Sequence, residues 1–204
     1  MSATSTARRQ GSVRRRAALK IALGGAAWLL CGAHTPYGQW QVYRRRHLLV
    51  GTSKADAPTY PLGQRIVEVL ASRLPESSAR VTRGPNAWRL ASLITSGQLE
   101  LVLLSTSDVA ALRDGRSPFE AFGATRLCAL FAFGAHWLVC RPDFPERHAY
   151  LVVETLATHW EAPPGETPDP ARAPVPVHPG ALAYLRGEPL PAPVAALGPA
   201  APPR

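Results

Sequence analysis

The chain has 204 residues, 46% of them hydrophobic, which suffices for one domain with appendages. Its formal charge of +9 arises at the start, where Arg8, Arg9, Arg14, Arg15, Arg16, Lys20, Arg44, Arg45 and Arg46 have no acidic residue among them. The other 14 basic residues meet 14 acidic ones, so the body of the chain is neutral and lacks the basic footprint of a domain that binds nucleic acid.

In chain order, residues 1–33 read as an export signal or membrane anchor. A basic stretch precedes the apolar run IALGGAAWLLCGA, residues 21–33, which is short for a membrane span of about 20 residues. RRAALK, residues 15–20, resembles a twin-arginine signal, although an arginine-rich start also suits the general secretory route. CGA before His34 offers a small-residue cleavage site. Leu30 before Cys31 argues against lipoprotein processing. In the uncleaved alternative, the basic linker of residues 34–46 would set Arg44, Arg45 and Arg46 at the membrane surface.

From residue 47 the pattern alternates between strand and helix. HLLVGT, residues 47–52, predicts a strand that ends near Gly51. A helix follows from Pro61, because Leu62, Ile66, Val69, Leu70 and Leu74 share one face and proline is tolerated in a first helical turn. Residues 79–83 predict a short strand, and residues 86–96 a helix that Gly97 stops. LELVLLS, residues 99–105, predicts a buried strand, and STSD, residues 105–108, caps a short helix. LCALFAF and HWLVC predict a hairpin, and residues 144–160 a helix with Tyr150, Val153, Leu156 and Trp160 inward. A three-residue turn centred on Gly134 would set Cys128 opposite Cys140, whereas a two-residue turn would send them to opposite faces. Buried free thiols are the expected state, although export would permit a bridge. Residues 161–204 are rich in proline and alanine and predict a mostly disordered tail with a short helix over 181–186.

The order of these pieces resembles a known family. GTS and TYPLG (Gly51, Thr52, Ser53, Tyr60, Pro61, Leu62, Gly63), then SGQLELVLL, then Ser107, Asp108, Val109 and Ala110, are similar to the TAXI type of solute-binding protein. These are the extracytoplasmic receptors of tripartite TRAP transporters. DFPERHAYLVVETL looks like a late helix of that family, and VPVHPGALAYLRG like its C-terminal signature. The resemblance covers about residues 46–160 and 175–187. It implies an α/β fold over residues 47–160, a single lobe of a periplasmic-binding-protein-like architecture, with most of the second lobe missing. It further implies a periplasmic location, TRAP membrane subunits as partners and a small organic acid or amino acid as ligand. Ser53, Tyr60, Asn86, Arg89 and Thr106 are the ligand-binding candidates. The family's glycines after GTS are replaced here by Lys54, Ala55, Asp56, Ala57 and Pro58, which adds a negative charge and removes a donor.

Chemistry is not expected. No HExxH, CxxC, phosphate loop or Gly-x-Ser-x-Gly elbow occurs. His148 and His159 are about 16 Å apart on an ideal helix, too far to share a metal. Asp108 beside Ser107 reads as capping, and His178 before Pro179 as a turn residue. Trp88, Trp137 and Trp160 read as core aromatics. No cofactor, metal or catalytic residue is therefore expected. The alternative to a solute receptor is a membrane-tethered envelope module that no longer binds solute. Its docking surface would be LFAF and HWLVC, left open by the absent lobe.

Overall fold

The computed structural model describes residues 47–161 and 170–192. The expected export segment, the basic linker and the remainder of the tail lie outside the described residues. Five strands run in the order β1 (Leu49–Ser53), β2 (Arg80–Gly84), β3 (Leu101–Ser105), β4 (Cys128–Phe133) and β5 (His136–Cys140). Among the described residues five α-helices accompany them: α1 (Thr59–Arg73), α2 (Ala87–Thr95), α3 (Thr106–Asp114), α4 (Glu146–His159) and α5 (Pro179–Leu185). The α/β expectation therefore holds as a five-stranded mixed sheet with helices.

The sheet order is β2-β1-β3-β5-β4. β1 pairs in parallel with β2 and with β3, while β5 runs antiparallel to both β3 and β4. β1 is buried along its whole length and β3 up to Ser105, as a strand covered on both faces must be. Alternation along β3 sorts the two faces. Leu101 and Leu103 join Ile66 and Leu70 of α1 and Val152, Val153 and Leu156 of α4. Val102 and Leu104 join Leu90 and Ile94 of α2 and Val109 and Leu112 of α3. Neighbouring residues of one strand thus hold two separate apolar cores.

α1 begins two residues before Pro61 because Thr59 anchors it. Its buried hydroxyl accepts from the Ser53 N–H (3.1 Å) and lies 2.7 Å from the Asp56 carbonyl and 3.0 Å from that of Ser53. Of the face expected for this helix, Ile66 and Leu70 are fully buried, and Leu62 and Val69 are partly so.

The hairpin corrects the cysteine argument. The turn is the two-residue Gly134-Ala135 form, with Phe133 opposite His136, and Gly134 takes the positive φ of 58° that such a turn needs. Alone it would put the cysteines on opposite faces. A bulge between Ala129 and Phe131 makes Leu130 the extra residue and shifts the ladder by one, so Cys128 falls opposite Cys140. Both thiols are free and buried.

The apolar docking face expected of LFAF and HWLVC is not open. Phe131, Phe133 and Trp137 are each 6% exposed, and Leu138 and Val139 are fully buried. α1 and α4 cover one face of these strands and α2 and α3 the other, so no second lobe is needed to bury them.

Part of the Pro/Ala-rich segment packs on the body. Val177 bridges to Ala129 in parallel, with the Ala129 N–H donating to Pro176 and the His178 N–H to Ala129. His178 is fully buried and caps α5, its Nδ1 accepting from the Gly180 N–H at 3.2 Å. α5 lies against α4 so closely that a Cβ on Gly180 would strike the Glu146 carbonyl oxygen.

Candidate functional site

The connections define a crevice. β1 sits between β2 and β3, and the helices that link these strands pack on opposite faces, α1 on one and α2 on the other. The chain thus leaves β1 and β3 in different directions, the topology that in open α/β sheets places a crevice at the carboxyl ends of such strands. α1, α2 and α3 all begin at this rim, because each follows a parallel strand. Their first turns present partial positive charge to it.

Ser53 closes β1. It is 2% exposed, and its Oγ is buried without a hydrogen-bond partner. The loop that follows is fastened to the end of β2, with Lys54 N–H donating to Gly84 O (2.9 Å) and Ala55 N–H to Pro85 O (3.1 Å). Thr59 closes it from the other side. Pro58 is the N-cap of α1 and offers no side-chain cap, so this N-terminus differs from its neighbours. α2 is capped by Asn86, whose Oδ1 accepts from the Arg89 N–H at 2.9 Å. α3 is capped by Ser105, whose Oγ accepts from the Asp108 N–H at 3.1 Å.

The five residues singled out in the sequence all fall at these carboxyl ends, in different conditions. Ser53 has the unused hydroxyl. Tyr60, in the first turn of α1, is half-buried, and the Arg83 guanidinium lies over its ring at 4.0 Å. Asn86 uses its carbonyl oxygen as a cap. Arg89 is exposed on the first turn of α2, with its stem near Gly84. Thr106 begins α3 and is tied to the hairpin, its N–H (2.9 Å) and its hydroxyl (3.0 Å) both donating to Ala135 O. The backbone holds Ser53 and Asn86 near each other through the loops after β1 and β2, while Thr106 stands by β5.

One pair escapes sequence reasoning. Asp56 Oδ2 lies 2.9 Å from His136 Nε2, and both side chains are largely buried, at 29% and 14% exposure. Asp56 belongs to the loop after β1. His136 starts β5 and lies opposite Ser105 at the end of β3. The contact therefore spans the crevice. The negative charge that counted against an anion cradle is engaged by a histidine 80 residues away in sequence. No local pattern joins the two. Thr59 was equally silent, because a threonine ahead of Tyr-Pro carries no helical periodicity.

A cavity of about 470 Å³ lies elsewhere, at the amino ends of the strands, between His47, Leu48, Leu74 and the α4 residues His148 and Val152. Glu76 and Glu100 face Arg147 and His148 around it, so its charge favours no ligand sign. The first turn of α4 borders it, with Pro145, Arg147 and His148 in the lining. The carboxyl-end rim instead gathers the N-termini of α1, α2 and α3 beside the unpartnered Ser53 hydroxyl. Among the described residues no cluster of three metal-ligating side chains occurs, and no helix is long and apolar enough to cross a membrane.

No protein-family model matches the chain, and no curated protein matches it.

Proposed function

We propose that the chain is a solute receptor of the TRAP type, a single lobe of a periplasmic-binding-protein-like fold that binds a small organic anion without chemistry. The observation that carries this reading is Ser53. A buried hydroxyl without a partner costs about 1–3 kcal/mol, and it sits at the end of a strand beside a helix N-terminus that no side chain caps. A carboxylate there accepts from the Ser53 hydroxyl and, in the first turn of α1, from the Tyr60 N–H, since Thr59 already donates to Asp56 O and Pro61 has no N–H. The order of GTS, TYPLG, SGQLELVLL and HPGA along the chain supports the family assignment.

In this reading the Asp56 carboxylate acts as an internal stand-in. Ligand binding transfers His136 from Asp56 to the incoming carboxylate, which keeps the imidazole partnered. Arg89 and Tyr60 border the same rim and set which organic acid or amino acid fits, while Asn86 and Thr106 hold the walls in place. One lobe leaves the ligand open to water, so affinity is lower than in a closed cleft. Residues 1–33 export or anchor the chain, which puts the lobe in the periplasm within reach of TRAP membrane subunits.

The test is a thermal-shift and titration series on the full chain against dicarboxylates, monocarboxylates and amino acids. A ligand that binds only the folded state raises Tm by mass action. We expect a saturable rise for at least one organic anion, lost in Ser53→Ala and His136→Ala proteins that still melt cooperatively. Flat heats across the panel sink the reading.

A further inference from the structure

Cys128 opens β4 and Cys140 closes β5, and their Cα atoms are partners in the antiparallel ladder. Directly opposed residues of such a ladder lie about 4.5–5.5 Å apart at Cα and project to one face. Disulfides span Cα separations of about 4.4–6.8 Å. This opposition is not what the turn provides. Continued from Phe133 and His136 without a break, the ladder would set Cys140 against Ala129. One inserted residue, Leu130, brings the thiols together. Both side chains then lie in the same core cluster, with Phe131, Leu138 and Phe144. Their nearness is also electrostatic: burial pushes the Cys140 thiol far above its ordinary range, and Cys128 and then Asp143 push it further.

We propose that Cys128 and Cys140 form a dithiol–disulfide site, described here in its reduced form, which closes into a cross-strand disulfide by exchange with an external disulfide oxidant. The Cys128 thiolate attacks one sulfur of the oxidant, forming a mixed disulfide and expelling one thiolate. The Cys140 thiolate then attacks the Cys128 sulfur and expels the second. The cysteine pair loses two electrons and two protons, and the oxidant leaves as two thiols. Cys128 is 8% exposed and Cys140 fully buried, so the folded protein offers little thiolate to attack. The exchange belongs to the folding chain, or to moments when β4, the last strand of the sheet, opens. Once made, the bond is sealed by the same packing.

The full chain, denatured and reduced, is refolded in glutathione buffers from reducing to oxidising, then acid-quenched, alkylated and mapped by mass. We expect Cys128 and Cys140 to escape alkylation in the oxidising buffers, with the mass lower by ~2 Da and a peptide joining them. The linked protein is expected to melt roughly 5–10 °C above the reduced one. Cys128→Ser and Cys140→Ser chains should show neither change, and Cys31→Ser should show both. The same exchange on folded, reduced protein in sub-denaturing urea gives a reading that does not depend on refolding yield. Cysteines that stay alkylatable in every buffer, a link that instead recruits Cys31, or a linked protein that melts below the reduced one overturns the proposal.

Discussion

Ser53 and His178 share a property and differ in everything around it. Each is buried, and each has one polar atom without a partner in hydrogen-bond geometry, Ser53 Oγ and His178 Nε2. Ser53 lies beneath exposed loop residues, including Lys54, Ala55 and Pro58. His178 lies in a closed seam. Its Nδ1 caps α5, the Phe144 ring stands edge-on to it at 6.1 Å, and Gly180 brings α5 onto the backbone of α4. Burial holds the imidazole below its ordinary range, opposed by the nearby backbone of Phe144 and by Glu146. An unpartnered polar atom points to a ligand only where a ligand can arrive. In the seam it is the cost of a cap that packing makes worthwhile; at the rim the proposed anion would supply the return.

The sharpest way to break this contrast is Gly180→Ala. Its methyl group would meet the Glu146 carbonyl, with the carbonyl carbon 2.8 Å away, and backbone cannot step aside as a side chain can. We expect a loss of about 3 kcal/mol in urea unfolding, with ligand binding at the rim unchanged in whatever fraction folds. Thr59→Val comes next. It keeps the shape but leaves the Ser53 N–H and the Asp56 carbonyl short of a partner, at a cost of about 2 kcal/mol, and it should weaken ligand binding too because the loop loses its anchor.

His178 gives a signature in pH. Its folded value lies below the ordinary 6.5, so as pH falls under 6.5 the unfolded chain takes up a proton that the folded chain refuses. Stability is full above that pH, declines below it, and stops declining from this source once the folded value is passed. His178→Asn keeps a good N-cap and removes the titration, so its urea midpoint should change less between pH 7 and 5 than that of the parent chain. A further loss below pH 3.8 belongs to Asp114, whose carboxyl is held at about 2 by its hydrogen bond to Arg113 and then by Arg116; salt should weaken that loss, since the group is exposed to solvent. The smallest effect is Ser53→Ala on the unliganded protein, a gain of about 1 kcal/mol or none. The same variant should bind the organic anion at least tenfold more weakly, and equal binding would erase the distinction between rim and seam.

The repeating parts of the fold were legible in the sequence because periodicity encodes them. The strand at HLLVGT and the helices around Ile66, Leu90 and Leu156 lie where their apolar spacing puts them. The stop at Gly97 was legible because a φ of 69° suits glycine. What periodicity does not encode was missed. CALFAF is apolar at every position, so the inserted Leu130 leaves no gap in a polar–apolar alternation. Asn86 was read for its position, but a carboxamide at a helix start looks the same whether it caps or binds. The Asp56–His136 contact joins two loops that only the finished sheet brings together. His178 looked like a turn residue, because composition hides the core contacts of a proline-rich stretch.

The two outer strands of the sheet bear on how the protein behaves in a crowd. β2 presents Arg80 and Arg83 along one margin, charges that discourage another strand from pairing there. β4 has no such charges. Its margin is instead occupied at Ala129 by Pro176 and His178, and Pro179 follows directly, a residue that cannot donate to a ladder. A chain cut after α4 would keep most of both cores and lose this guard. It would then offer an apolar, unpaired strand as a template for its own copies, so the proline-rich stretch serves solubility as much as stability.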